Sequence, residues 1–418
     1  MHDFHFKNGQ LYCEDVSVST IGKKVGTPFY LYSYKTIVDH FTKLQKAFAP
    51  VSPIICFAMK SNSNLAILKA LVDRGAGLDI VSIGELKKAL MVGADPKKIV
   101  FASVGKTEEE ISFALKQGIL FFNVESLPEL EFINKVARKM KKTAQVALRI
   151  NPDVEAPTHD FITTGTLKKK FGIDLTTTKK IFASAKKYKN VRINGIHIHI
   201  GSQITEGAPF VGAIKKVIEF IEDLKHNNVS IEYLDIGGGM GIIYKDEKAQ
   251  TAQEYADKVL PLLVKTGLKI IMEPGRFIVG NAGIFVTKVL YIKDNGYKRF
   301  VIVDGGMNDL IRPSLYDAYH EIVPLKQTNA KKIKVDVVGP ICESGDFFAH
   351  DRLLPHVKSG DDLAIMSAGA YGYVMSSNYN VRGRVPEVMV KGRRFEVVKN
   401  REEFKDLVRG EKIPSFLK

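Results

Sequence analysis

Ile54-Ile55-Cys56-Phe57-Ala58-Met59-Lys60-Ser61-Asn62 runs six apolar residues straight into a lysine and two polar ones. A run this short, apolar on both alternating faces and closed by a polar boundary, is the pattern of a strand buried inside a parallel sheet. The pattern recurs at 77–81, 99–102, 120–124, 144–150, 193–200, 231–236 and 269–273. Between these runs lie amphipathic segments of helical period, among them 64–73, 107–116, 126–140 and 210–227, several opened by Ser, Thr or Asn at a cap position. Eight strand–helix repeats within residues 54–276 predict an α/β fold closed as a (β/α)8 TIM barrel rather than left as an open sheet.

Beyond Arg276 the texture changes. Runs at 284–292, 299–303, 332–338, 362–366 and 386–390 read as strands separated by Gly, Asp and Asn, with little helical period between them. Residues 9–32 have the same character, so both chain ends are expected to build one second, mainly β, barrel-like domain. The expected division is 34–280 for the barrel and 1–33 plus 281–418 for the β domain.

The chain has 418 residues and a formal charge of +15, but its lysines come as scattered pairs such as Lys87-Lys88 and Lys215-Lys216, the spacing of solvated helix faces. Lys168-Lys169-Lys170 is the one concentrated run, and no aromatic residues interleave it, so no nucleic-acid partner is expected. A basic surface suits an anionic substrate or cofactor. No apolar run approaches the roughly 18 residues that span a bilayer, which excludes a membrane helix. The start, Met1-His2-Asp3-Phe4-His5-Phe6, lacks a secretory signal, and three cysteines (Cys13, Cys56, Cys342) cannot all pair, so a reducing cytoplasm is expected.

In a barrel of this type the active site lies where the strands end. Lys60 closes the first strand, where partial desolvation favours a neutral amine able to condense with an aldehyde; the plain alternative is an exposed lysine. The sixth run, Ile196-His197-Ile198-His199-Ile200-Gly201-Ser202, puts both histidines on one face. His-x-His is also a metal-ligand spacing, which keeps a zinc hydrolase as a rival, although no dense set of Cys or His follows it. The seventh and eighth runs end in Asp235-Ile236-Gly237-Gly238-Gly239 and Glu273-Pro274-Gly275-Arg276, at the recurrent phosphate position of these barrels. A phosphate, an aldehyde reached by Lys60 and a ring nitrogen paired with Glu273 together describe pyridoxal 5′-phosphate. Gly339-Pro340-Ile341-Cys342-Glu343-Ser344-Gly345-Asp346 adds a thiol beside a carboxylate in a loop, poor core filler and therefore a candidate reactive group.

Segments 57–64, 79–86, 151–173, 197–203, 235–239, 273–276, 304–316, 339–346 and 368–380 carry a resemblance over nearly the whole chain. In this order they resemble the fold-type III pyridoxal-phosphate decarboxylases, which share an alanine racemase-like barrel, and within them the diaminopimelate decarboxylase family. The resemblance implies that Lys60 carries the cofactor, His199 stacks on its ring, Asp79 and Arg149 support it, and Glu273 pairs with its nitrogen. It implies that Ser202, Gly237, Gly238, Gly239, Gly275, Arg276 and Tyr371 hold the phosphate. Arg276, Arg312 and Tyr316 would bind the retained carboxylate, and Glu343 and Tyr371 the distal amino-acid end. Cys342 would return a proton to the substrate carbon, from the partner subunit of a homodimer with shared sites. The implied reaction converts meso-diaminopimelate to L-lysine and CO2, with no metal.

Plain alternatives stand beside these roles: Arg149 as a structural partner of Asp79, Asp304-Gly305-Gly306 as a turn, Arg312-Pro313 as a loop end. Ile83 and the segment 380–384 depart from the family pattern. A related decarboxylase acting on ornithine, arginine or a carboxylated polyamine is the nearest alternative activity, and a non-catalytic binding relative is the alternative from another class.

Overall fold

The computed structural model describes residues 2–154 and 170–417, so Lys168 and Lys169 of the basic run lie outside the described residues. The chain forms two compact units, one of Val38–Ile278 and one of Met1–Ile37 together with Val279–Lys418.

The first unit holds a closed barrel of eight parallel strands: β1 (Ile54–Ala58), β2 (Gly77–Ile80), β3 (Ile99–Phe101), β4 (Phe121–Val124), β5 (Ala144–Arg149), β6 (Val191–His197), β7 (Tyr233–Asp235) and β8 (Lys269–Met272). Closure is made by Ile271 opposite Ile54 and Met272 opposite Ile55. The expected strands are all present, and the largest difference is β6, which stops at His197 rather than Ile200.

Side chains alternate along each strand, so a step of two residues moves one layer up the barrel axis. Cys56, Val100, Phe121, Ala147 and Ile271 pack as one buried apolar cluster. Small residues make room there: a Cβ on Gly77 would lie 2.9 Å from Cys56 Sγ, and one on Gly195 2.8 Å from Ala147 Cβ. Two residues further along the strands, Asp79, Asn123, Arg149, His197, Asp235 and Glu273 form a buried polar layer at the C-terminal ends. That step, Phe121 to Asn123, Ala147 to Arg149 and Ile271 to Glu273, turns a hydrophobic floor into a chemical one.

The helices start where polar residues satisfy their first free amides. Asn64 accepts from Ala66 N, Ser126 from Glu129 N, and Thr107 forms a reciprocal box with Glu110. Ile83 opens the helix Ile83–Met91, where its amide donates to Glu110 Oε1 at 3.1 Å.

The second unit is mainly β, and both chain ends build it. Phe29–Ser33 lies between Gly283–Asp294, to which it is antiparallel, and Glu387–Lys391, to which it is parallel. The sheet extends through Arg299–Val303 and Lys332–Val338 to Phe347–Pro355. Phe4, Leu11, Val16, Ile21 and Phe29 share one core with Ile284, Val286, Ala364 and Val388. Within residues 9–32, expected to be mainly β, Val18–Val25 is a helix. Val18 and Ile21 face inward at helical spacing and Gly26 ends the helix, so tertiary burial overrides the strand preference of β-branched residues.

Candidate active site

Lys60 lies just past β1, in the turn Met59–Ser61, and its Nζ donates to Asp79 Oδ2 at 2.7 Å. Asp79 is wholly buried, and burial together with nearby Glu273 raises its carboxyl above the usual range while Lys60 opposes the rise. Lys60 is therefore one half of an ion pair, not the isolated amine that its place at a strand end suggests. The pairing of Arg149 with Asp79 is also corrected: Arg149 Nη1 donates to Glu125 Oε1 at 2.7 Å, and Phe171 lies against the guanidinium at 4.8 Å.

Glu273 follows β8 and is buried. Its Oε1 accepts from Asn123 Nδ2 at 2.9 Å, and its Oε2 lies 3.2 Å from His197 Nε2, near enough for charge attraction though out of line for a hydrogen bond. Burial opposes ionisation, but His197 and then Lys60 outweigh it and hold the carboxyl well below the usual range. Asp235, one strand away, is pushed the other way, well above that range, by burial and by the Glu273 charge. Ligand atoms of His197, Asp235 and Glu273 all lie within 4.8 Å of one another. His-x-His spacing alone does not reveal this grouping, because its members come from the ends of three neighbouring strands.

His199 lies beyond the end of β6, and its Nδ1 accepts from Gly238 N at 3.3 Å. Burial, then Arg149 and Lys60, lowers its basicity far below normal, so the ring is neutral with its proton on Nε2.

The glycine loop is built by backbone contact. A Cβ on Gly237 would lie 2.3 Å from Ile198 O, on Gly238 2.2 Å from Glu273 O, and on Gly239 2.4 Å from Gly201 O. Any side chain there would force apart the loops after β6, β7 and β8. Gly275 packs similarly on Ser61. Arg276 Nη2 donates to Ser202 Oγ at 3.3 Å and Nη1 to Tyr244 OH at 2.6 Å, which joins two residues expected at the phosphate and adds Tyr244, which the sequence reading did not single out.

A phosphorylated pyridine aldehyde suits this donor set. The mouth presents an amine, an ionised carboxylate, a neutral flat imidazole, and a hydroxyl and guanidinium beside a glycine loop. Arg149 Nη2 and Asp79 Oδ1 are buried without a hydrogen-bond partner among the described residues, as a site shaped around a further polar group would leave them.

In the second unit the Cys342 loop is held by Asp346, whose carboxylate accepts from Ile341 N and Met307 N, both at 2.6 Å. Cys342 and Glu343 are exposed, and the Cys342 amide donates to Asn380 Oδ1 at 2.8 Å. Asn380 and Val381 both adopt left-handed backbone, a costly conformation for a valine, within the segment that departs from the family pattern. Ser314 Oγ donates to Gly345 O, which joins the helix Arg312–Tyr316 to the Cys342 loop. Arg312 is buried and donates to His320 Nε2 at 3.0 Å, while His320 Nδ1 lies 2.7 Å from Met366 O. A carbonyl can only accept and a guanidinium only donate, so His320 is the neutral tautomer with its proton on Nδ1. Tyr316 and Tyr371 are half-buried, Tyr371 with a φ of 56°. Asp304 follows the strand Arg299–Val303 in a bend and accepts from Thr287 Oγ1 at 2.7 Å, and the turn itself begins only at Met307.

A family model described as the pyridoxal-dependent decarboxylase, pyridoxal binding domain, matches residues 34–280. The chain is 48% identical to a diaminopimelate decarboxylase of Aquifex aeolicus over 96% of each, and 45% identical to one of Vibrio cholerae over 96% of each. It superposes on the diaminopimelate decarboxylase of M. jannaschii in complex with L-lysine with a TM-score of 0.94 at 38% identity, covering 99% of this chain and 98% of that one. The Helicobacter pylori diaminopimelate decarboxylase, also complexed with L-lysine, gives 0.90 at 42% identity, covering 94% and 98%.

Proposed function

The chain belongs to the pyridoxal-dependent decarboxylases, and within them to the diaminopimelate decarboxylases; from that premise we propose its reaction and the roles of its residues. It removes one carboxyl group of meso-2,6-diaminopimelate as CO2 and releases L-lysine, the last step of lysine biosynthesis by the diaminopimelate route. The observation that carries the reading is the shared polar layer in which Lys60 is ion-paired at the mouth and Glu273 is held ionised.

Pyridoxal 5′-phosphate, when bound, supplies an electron sink next to the substrate Cα, so that CO2 leaves without its bonding electrons. Lys60 anchors the cofactor and Asp79 keeps that lysine in place. Glu273 keeps a proton on the ring nitrogen, where negative charge would otherwise be hardest to accommodate. His199 offers its neutral face for stacking, and Arg149 and Asp79 support the ring. Ser202, Gly237, Gly238, Gly239, Gly275, Arg276 and Tyr371 hold the phosphate. Arg276, Arg312 and Tyr316 bind the retained carboxylate, with Arg312 aimed by His320, and Glu343 and Tyr371 grip the distal end. Cys342 Sγ delivers the proton that replaces the lost carboxyl group. Cys342 and Glu343 act in the barrel of a partner subunit, so the working enzyme is a homodimer with shared sites. Among the described residues no helix is long and apolar enough to cross a membrane.

The test is an absorbance spectrum of the purified protein before and after meso-diaminopimelate, with lysine assayed in the product. Lys60→Ala should abolish both the cofactor band and CO2 release. Full turnover by that variant would sink the assignment, and faster CO2 release from ornithine or arginine would move the activity to the related decarboxylases.

A further inference from the structure

Glu273 has a carboxyl neighbour, and two such groups in one buried layer do not both ionise without large cost. Asp235 Oδ1 accepts from Gly237 N at 2.9 Å, so each acid has a fixed donor: a backbone amide for Asp235 and the Asn123 side chain for Glu273. Asn123 is wholly buried at its place on β4. Its Oδ1 has no hydrogen-bond partner among the described residues. Turning the amide over would set that oxygen against a carboxylate, so the charge on Glu273 fixes the amide, and the amide in return favours that charge.

The backbone that carries Asn123 is itself immobilised. Asn123 O accepts from Lys106 Nζ at 2.8 Å, and Lys106, wholly enclosed, also donates to Ser103 O at 2.8 Å and Glu129 Oε1 at 2.6 Å. Glu129 Oε2 accepts from Glu125 N at 2.7 Å, and Glu125 Oε2 accepts from Gly172 N at 3.0 Å. One buried network thus fixes the strand end between Asn123 and Glu125, the residue that pairs with Arg149.

We propose that Asn123 is a positioning residue that assigns the negative charge of the Asp235–Glu273 pair to Glu273, and through Glu273 maintains the proton on the cofactor ring nitrogen. The proposal rests on the reading of Glu273 as the ring-nitrogen partner. Without the amide, Asp235 keeps its backbone donor while Glu273 keeps only the nearby His197 and Lys60 charges, and the preference of the charge for Glu273 weakens.

The test uses full-length wild type, Asn123→Leu and Asn123→Asp, each loaded with pyridoxal phosphate labelled with 15N in the ring and followed by 15N NMR and steady-state kinetics. Leucine keeps the volume and removes the donor; aspartate adds a third acid. In wild type the ring nitrogen should give a protonated shift. In both variants it should move toward the unprotonated position, with kcat down about 10- to 100-fold and KM within about threefold, the loss of one hydrogen bond to a charged group. Unmoved 15N shifts and unmoved kcat in loaded variants overturn the proposal. So does loss of folding or cofactor retention in both variants, which would make Asn123 structural. If only one variant folds and loads, its shift decides. Wild type that retains no pyridoxal phosphate would sink the function reading and this proposal with it, whereas loaded wild type with unmoved variants sinks this proposal alone.

Discussion

Asp309 is 3% exposed, with Oδ2 accepting from Gly306 N at 3.0 Å and Oδ1 from Asn308 Nδ2 at 3.1 Å. Burial pushes its carboxyl up to about 7, from an ordinary value of 3.8. Between those values the folded chain holds a proton that the unfolded chain has released, so this group's contribution to stability is full below pH about 4 and is lost as pH rises toward 7. Asp309→Asn removes that dependence and should exceed wild type by about 4 kcal/mol at pH 8, an advantage that vanishes near pH 4. Urea denaturation across that range measures it, and a difference independent of pH would refute the assignment. At this scale the sequence was informative where a reactive residue ends an apolar run, as Lys60 and Glu273 do, or sits in a glycine-rich loop, as Cys342 does. It was silent on Asn123, Tyr244 and His320. An asparagine in Phe121-Phe122-Asn123-Val124 looks like any polar interruption of a strand. Its partner is 150 residues away, and closure of the barrel is what brings the two together.

Among the elements, the helix Glu108–Gln117 depends on its first turn, where Thr107 Oγ1 accepts from Glu110 N at 3.3 Å and Glu110 Oε2 accepts from Thr107 N at 3.0 Å. Thr107→Ala should cost about 1 kcal/mol in a denaturant titration with turnover unchanged, because the cap lies outside the site. A loss of turnover larger than the loss of folded protein would contradict that separation. The barrel strands were legible because burial on both faces leaves an unbroken apolar run between polar ends. Phe347–Pro355 was not, since its pairing with Lys332–Val338 shifts register twice and its alternation is broken by exposed His350 and Asp351. A bulged strand carries no clean period of two for a reader to find. The helix Val18–Val25 hid for the opposite reason, with β-branched residues in a helix that the surrounding core supports.

For the whole molecule, a shared-site homodimer makes a quantitative prediction. Mixed Lys60→Ala and Cys342→Ala chains, each inactive alone, should recover up to about a quarter of wild-type turnover after random subunit exchange, since half the dimers are hybrids with one intact site each. No recovery despite demonstrated exchange would confine each site to one chain. The strand Phe29–Ser33 has a different consequence, one of timing. Its neighbours in the sheet pair through Gly283 opposite Tyr32 and Met389 opposite Tyr32. A ribosome delivers those neighbours in turn, long after Phe29, Tyr30, Leu31 and Tyr32 have left the exit tunnel, whereas the barrel strands follow one another without such a gap. The nascent chain therefore carries an orphan hydrophobic strand through most of its synthesis, while the segment behind it can already fold. Chaperone demand should fall on this N-terminal strand, and it ends only when the last strands of the chain arrive to enclose it.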